Sequence, residues 1–300
     1  MGTLYLVATP IGNLEDLSAR AIRILRQVAL IAAEDTRVTR KLLTHFDIQT
    51  RLLSYFEHNK LARLDTIMAA LAAGDVALVS DAGTPGLNDP GYELVRAALD
   101  AGHQVSPVPG PASPIAALIA SGLATDAFLF LGYLPRKSSE RKAGLAKVAA
   151  LPYTLIFLEA PHRLVDALHD LADAIGDRQI AVARELTKVH EEIWRGTVRE
   201  ALQHFSAPRG EFVLVVEGNP GIARGKFCYI GFSGQSNTML STAISTFTIL
   251  MSSEPASPLS GVTDLMCMPT KWIVNRSFFV LSWYESAPVR PESATVPCSA

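Results

Sequence analysis

The sequence predicts an α/β protein made of two consecutive α/β domains. Three observations carry that expectation. Apolar segments of strand length alternate with amphipathic helical stretches from residue 3 to residue 221, the alternation pauses once near residues 122–127, and Pro/Gly-rich segments follow several of the strands. Alternation of this kind is the signature of a largely parallel sheet covered by helices.

In order, the first strand is expected at 4–8, an apolar run closed by Thr9-Pro10, and residues 17–26 then carry apolar side chains at helical spacing. A continuous apolar run at 28–33 reads as the second strand and is followed by helices at 38–45 and 61–73. The third strand, 76–79, is Val-Ala-Leu-Val; a helix at 92–101 and a strand at 105–108 follow, and Pro114 opens one more helix. These elements define a first domain of residues 1–122. The second, residues 123–221, is built from strands at 128–132, 154–158, 180–184 and 212–216, helices at 142–150 and 164–175, and a charged stretch around 198–205. A cleft between the two domains is expected.

Composition narrows the class. Hydrophobic residues are 49% and charged residues 19%, which excludes a disordered chain, and no run of about eighteen uncharged apolar residues occurs in the first 221 positions. Met1 to Val7 lead into a turn and a charged helix with no basic flank, so a cytoplasmic protein with no membrane span is expected. A formal net charge of -2 provides no global basic field, so any nucleic-acid partner has to be held by local patches. Cys228, Cys267 and Cys298 fit no metal-ligand spacing, and no metal is expected. All three lie in a segment of different character: from residue 222 onward nine of 79 residues are charged and 20 are Ser or Thr. That tail, 222–300, reads either as a poorly ordered extension or as the product of a shifted reading frame.

Three Pro/Gly-rich segments sit where strands end, which is where open α/β sheets bind ligands. They are Ala8-Thr9-Pro10-Ile11-Gly12-Asn13, the run from Ser80 to Gly91, and Pro109-Gly110-Pro111-Ala112-Ser113-Pro114. Ordinary strand-to-helix turns explain any one of them; their joint placement suggests a rigid pocket. The spacing of Gly83, Gly86 and Gly91 is not G-x-G-x-x-G and no phosphate-loop motif occurs, so the dinucleotide and nucleoside triphosphate fingerprints are both missing. Asp81, directly after a strand, can accept hydrogen bonds from ribose hydroxyls or an amino group, or it can cap a turn. Glu34-Asp35-Thr36-Arg37 ends the second strand with two acids beside a base, the alternative being helix capping by Asp35 or Thr36. In Glu159-Ala160-Pro161-His162-Arg163 the glutamate again sits at a strand end, while His162 reads as structural. Arg184, Glu185 and Lys188 form an ion-pair network or a phosphate contact. Arg136 and Lys137 open a stretch of four cations in seven residues, either a solvated helix start or a grip on phosphates.

The order L-Y-L-V-A-T-P-I-G-N-L-E-D, A-A-E-D-T-R-V-T-R-K-L-L, S-D-A-G-T-P, P-G-P, L-P-R-K, E-A-P-H-R, A-R-E-L-T-K-x-H-E-E and G-E-F-V-L-V-V, from about Thr3 to Gly218, resembles the bacterial ribosomal RNA small-subunit methyltransferase I family of the tetrapyrrole methylase superfamily. The tail does not resemble the Ala-, Leu- and Lys-rich end of that family. The resemblance implies two α/β domains of the tetrapyrrole methylase type with S-adenosylmethionine in the cleft between them. It also implies a homodimer and a 2'-O-methylated cytidine in small-subunit ribosomal RNA as product. Cofactor contacts are then expected from Pro10, Ile11, Gly12, Asp81, Ala82, Gly83, Thr84, Pro85, Ala112 and Ser113, and RNA contacts from Arg37, Arg136, Lys137 and Lys188. Glu34, Asp35 and Glu159 are the catalytic candidates, because a carboxylate that takes the ribose proton adds about 10²–10⁴-fold to a displacement that otherwise depends on positioning. The rivals are methylation of a tetrapyrrole ring carbon and a non-catalytic ribosome-binding factor.

Overall fold

The computed structural model describes residues 2–222. The expectations for the tail fall, apart from Ile222, outside them. Both sheets of the described residues belong to one compact unit.

The first sheet has five strands: β1 (Thr3–Val7), β2 (Leu30–Ala33), β3 (Leu52–Ser54), β4 (Val76–Val79) and β5 (Gln104–Val108). Their order is β3-β2-β4-β1-β5 and every neighbouring pair is parallel. All residues of β2 and β4 are buried, as expected for central parallel strands with helices on both faces. On one face Ile24 and Leu25 of α1 (Ala19–Gln27) and Leu43 of α2 (Thr36–His45) pack on Val7, Ile31 and Val79. On the other, Ile67 and Leu71 of α3 (Lys60–Ala73) and Leu94 of α4 (Tyr92–Asp100) pack on Leu4, Leu30 and Leu78. Each such side chain, fully buried, contributes roughly 1.5–3 kcal/mol. The chain leaves β1 toward β2 but leaves β4 toward β5, on the far side of β1. Connections departing in opposite directions open a crevice at the carboxyl ends of β1 and β4.

The helix after β5, α5 (Ser113–Ser121), does not pack on the first sheet's two covered faces. Its Ala117 and Leu118 sit against Ile156, Ala181 and Val215 of a second sheet. That sheet contains β6 (Phe128–Tyr133), β7 (Thr154–Glu159), β8 (Gln179–Arg184), β9 (Glu192–Thr197) and β10 (Phe212–Val216), in the order β6-β7-β10-β8-β9. The alternation of strands and helices predicts parallel pairing, yet only β6 and β7 are parallel here; the other three pairs are antiparallel. A strand the sequence did not suggest, β9, supplies part of the difference. It is Glu-Ile-Trp-Arg-Gly-Thr, an edge strand with no fully buried residue, and β3 escaped notice for the same reason. The far face of the sheet is covered by α6 (Ser138–Val148), α7 (Pro161–Ile175) and α8 (Val198–His204), through Leu145, Leu164, Leu168 and Val198 on Leu155, Phe157 and Leu214. The charged stretch around residue 200 is thus helical, held by a capping box between Thr197 and Glu200. Helix α6 starts before residue 142 because its first turn is polar: Ser138 Oγ donates to Asp170 Oδ1 at 2.9 Å, and Arg141 Nε to Asp170 Oδ2 at 2.6 Å. No helix among the described residues is long and apolar enough to cross a membrane.

Candidate functional site

A cavity of about 240 Å³ lies where the strand ends of the first sheet meet the cleft face of the second. From the first sheet it is lined by the loops after β1, β2, β4 and β5, with Ile11, Glu34, Asp81 to Thr84, Leu87 to Asp89, and Ala112 to Pro114. These loops are stitched to one another. Thr9 and Gly83 exchange backbone hydrogen bonds of 2.8 and 3.0 Å, Thr9 Oγ1 donates to the Ser80 carbonyl at 3.2 Å, and Thr84 Oγ1 donates to the Pro111 carbonyl at 3.1 Å. The proline-fixed backbone needs little further ordering to receive a ligand. Where the first loop crosses to the second sheet it does so at Gly12, because a Cβ there would lie 2.4 Å from Lys188 Cγ and 3.1 Å from the Leu186 carbonyl oxygen.

Glu34 and Asp81 face each other across the paired ends of β2 and β4. The Asp81 backbone N–H donates to Glu34 Oε2 at 3.4 Å, and the Asp35 N–H donates to Asp81 Oδ1 at 2.9 Å. Burial, then the neighbouring Asp89 carboxylate, pushes the Glu34 carboxyl above the usual range; burial does the same to Asp81 and Asp89. On the second sheet Glu159 has a side chain with no exposed surface, takes the Ala160 N–H on Oε1 at 2.9 Å, and pairs with Arg163 Nε at 3.2 Å. Its carboxyl is raised by burial and drawn back by that arginine. Glu211 lines the cavity as well. Five carboxylates and no lysine, arginine or histidine therefore line this space, which suits a cationic ligand and repels phosphate.

Among the residues singled out from the sequence, Ile11, Glu34, Asp81, Ala82, Gly83, Thr84, Ala112, Ser113 and Glu159 line the cavity, while Pro10, Gly12 and Pro85 flank those that do. Asp35 is turned to Arg37, whose Nη2 lies 2.6 Å from Oδ2; that guanidinium holds the Asp35 carboxyl down to about 2. It also caps α2 by accepting the Arg37 N–H, so it is committed to helix and ion pair rather than to the cavity. Arg37 lies in a shallow surface depression on α2 with Arg40, Lys41 and His45, a basic face the sequence reading had only in part. Arg136 and Lys137 are exposed, and Lys137 pairs with Glu140 at 3.2 Å. Lys188 is occupied: its Nζ donates to Glu185 Oε1 and Glu211 Oε2, both at 2.9 Å.

The sequence reading missed most of the second sheet's contribution: Phe130, Tyr133, Leu158, Ala183, Leu186 and Phe212. They are strand-face and strand-end side chains, which apolar periodicity does not distinguish from core. Asp89 was within reach, since it sits inside the Pro/Gly segment already marked.

Residues 3–202 match the family of tetrapyrrole (corrin/porphyrin) methylases. The chain is similar to ribosomal RNA small subunit methyltransferase I of Halalkalibacterium halodurans, with 53% identity over 73% of this chain and 76% of the relative. It is similar to the proteins of the same name from Synechocystis sp., 54% identical over 73% of this chain and 80% of the relative, and from Escherichia coli O157:H7, 49% identical over 73% and 78%. Among solved structures, cobalt precorrin-4 methyltransferase superposes with a TM-score of 0.53 at 17% identity, covering 71% of this chain and 94% of the other. Uroporphyrin-III C-methyltransferase from Thermus thermophilus, in complex with S-adenosylhomocysteine, does so with a TM-score of 0.51 at 21% identity, covering 72% and 97%. These structural likenesses establish the fold.

Proposed function

Because this chain belongs to the tetrapyrrole methylase family and, within it, to the ribosomal RNA small subunit methyltransferase I proteins, we propose that it transfers a methyl group from S-adenosylmethionine to a cytidine 2'-hydroxyl in small-subunit ribosomal RNA. The observation that carries the reading is the charge of the cavity. A space lined by five carboxylates fits a sulfonium- and ammonium-bearing donor, and it leaves RNA phosphates to the basic surfaces outside.

The residues present fit that donor. Asp81 offers a carboxylate to its hydroxyls or amino group, and the backbone at Gly83, Thr84, Ala112 and Ser113 can approach it closely. When bound, S-adenosylmethionine supplies an activated methyl group. Glu34, which pairs with no cation among the described residues, is placed to accept the proton that the ribose hydroxyl gives up as its oxygen bonds to the methyl carbon and the carbon–sulfur bond breaks, leaving a neutral thioether. Glu159 is assigned a positioning role, since Arg163 holds it. Arg37, Arg40 and Lys41 on α2 and Arg136 and Lys137 ahead of α6 hold the RNA backbone, which fixes register without reading sequence. Lys188, bound by two carboxylates of its own half, is left to ordering the segments after β8 and before β10. A homodimer acting in the cytoplasm completes the reading, and sedimentation equilibrium of the full chain reports the copy number.

The test is tritium transfer from labelled S-adenosylmethionine to naked ribosomal RNA, assembled small subunits and uroporphyrinogen III. Label in a cytidine 2'-O-methyl group is the expected result. Label in the tetrapyrrole alone, or cofactor heat absent from calorimetry, overturns it in favour of a ring-carbon methylase or a binding factor.

A further inference from the structure

Strand β6 does something at its end that its sequence conceals. Phe128, Leu129 and Phe130 pair in register with Thr154, Leu155 and Ile156 of β7, so Leu129 packs toward α6 and α7 and Phe130 faces the cleft. Continued alternation puts Gly132 on the cleft face and Tyr133 behind the sheet. Instead the register shifts between Phe130 and Tyr133, and Tyr133 pairs with Leu158. One extra residue is accommodated, and Tyr133 joins Phe130 in lining the cavity.

The bulge lies close against the opposite wall. Gly132 has φ +65°, and a Cβ there would lie 2.4 Å from Asn88 Nδ2 and 2.6 Å from Asn88 Oδ1. Asn88, on the loop after β4, itself has φ +66°, a left-handed conformation that costs a non-glycine residue free energy. A strand residue of the second sheet and a loop residue of the first thus meet at positive φ, glycine being the residue that allows it on the strand side, and beside them one aromatic ring lines the cavity. Tyr133 is 56% exposed, so much of its surface stays open to solvent within the described residues while the rest is covered. The buried apolar contacts of the sheet do not require it.

We propose that Tyr133 is the acceptor-positioning residue, its ring stacking on the nucleobase of the nucleotide whose ribose is methylated. The inference rests on the RNA-methyltransferase reading above. A pyrimidine lifted from the RNA needs a flat apolar face to replace its lost stacking, and an aromatic side chain at a cavity mouth supplies it. The acceptor is favoured over the donor's adenine because the Pro/Gly loops and Asp81 lie on the facing wall, while an exposed ring is left for the partner that arrives from solvent. The phenol stays protonated: burial, then Glu211, Asp89 and Glu159, push it upward, so it serves as a ring and not as a base.

The experiment measures methyl transfer to unmodified small ribosomal subunits, with cofactor affinity by calorimetry, for the full-length wild type, Tyr133→Phe and Tyr133→Ala. Tyr133→Phe is expected to stay within about threefold of wild type. Tyr133→Ala should lower kcat/KM for the subunit by about tenfold or more, mostly through KM, with cofactor affinity and melting temperature unchanged, since stacking of one base on one ring accounts for a loss of that order. A wild type that methylates no RNA removes the parent reading and this proposal together. If the wild type is active and Tyr133→Ala matches it, or if cofactor affinity falls with Tyr133→Ala, only the stacking proposal is overturned. If Tyr133→Phe loses activity as fully as Tyr133→Ala, the hydroxyl and not the ring does the work, which also overturns it.

Discussion

The two sheets build their halves of the cavity by different means. The first contributes strand-end loops, whose backbone is fixed by proline and by cross-loop hydrogen bonds such as Thr9 to Gly83, with Glu34, Asp81 and Asp89 projecting from them. The second contributes side chains carried on strands, Phe130, Tyr133, Leu158 and Ala183, with its charges mostly paired. A parallel sheet leaves its carboxyl ends open for ligand loops, whereas an antiparallel sheet offers a patterned face. The first half therefore presents mostly backbone and unpaired carboxylates to the cavity, and the second mostly shape, with Glu159 and Glu211 held in ion pairs.

The largest effects should come from testing where each half keeps its charges. Arg141 and Asp170 form a buried pair under the second sheet, with side chains 4% and 7% exposed, and Arg141 Nη1 also donates to the Pro135 carbonyl at 3.0 Å. Asp170→Ala leaves an uncompensated buried guanidinium, so thermal or urea unfolding should show a loss of about 3–5 kcal/mol. A loss under 1 kcal/mol means that water reaches Arg141. In the first half, Asp81→Ala should leave folding nearly intact yet weaken S-adenosylmethionine by at least about tenfold, as loss of a charge-assisted hydrogen bond of roughly 1.5–3 kcal/mol implies. Unchanged calorimetric affinity takes Asp81 out of the site.

How much of this was legible follows the same division. The first sheet was nearly readable: Val76–Val79 matches the expected strand, and the loops that line the cavity are marked in the sequence by Pro10, Pro85 and Pro111. For Asp35 the sequence left a polar site and a helix cap both open, because the cap and the ion pair with Arg37, two residues on, depend on the helix turning there. In the second half, β9 hides because an edge strand needs no apolar run, and the antiparallel order of β7, β10 and β8 is set by packing that no local pattern encodes. Tyr133 was invisible because a bulge reverses the alternation, and the bulge's Gly132 lies against Asn88, 44 positions away in the chain.

A pH profile separates the unpaired acids of the first half from the paired ones of the second. Glu34 has a folded-state pKa above its unfolded value. It therefore contributes stability that is fully present below the ordinary carboxylate range and lost as pH rises through the raised folded value. For activity the sign is opposite, since a proton acceptor works only when ionised. Asp89→Asn removes one neighbouring negative charge, so Glu34 should lose its proton at lower pH and the acid limb of kcat should move down by a fraction of a unit. An acid limb that stays put, or moves up, points to a different base.

The smallest effects should come from the basic surfaces, and they can show whether RNA is held from one half or from both. Arg40 and Lys41 lie on the exposed face of α2, beside the first sheet's carboxylate rim, and make no ion pair among the described residues. Arg136 and Lys137 precede α6 on the second half, where Lys137 is already paired with Glu140. Each phosphate neutralised on a single strand contributes about 0.7 to the slope of log affinity against log salt. Replacing Arg40 and Lys41 with alanine should then lower that slope for small-subunit binding by about one, weaken binding several-fold at moderate salt, and leave cofactor affinity alone. The Arg136 and Lys137 pair should do less, because one of its charges must first leave a carboxylate. Filter binding of subunits over a salt series decides the matter: equal slopes for both double variants and wild type would mean that both patches are merely solvated. A larger change from Arg136 and Lys137 would move the RNA grip to the second half, beside Tyr133.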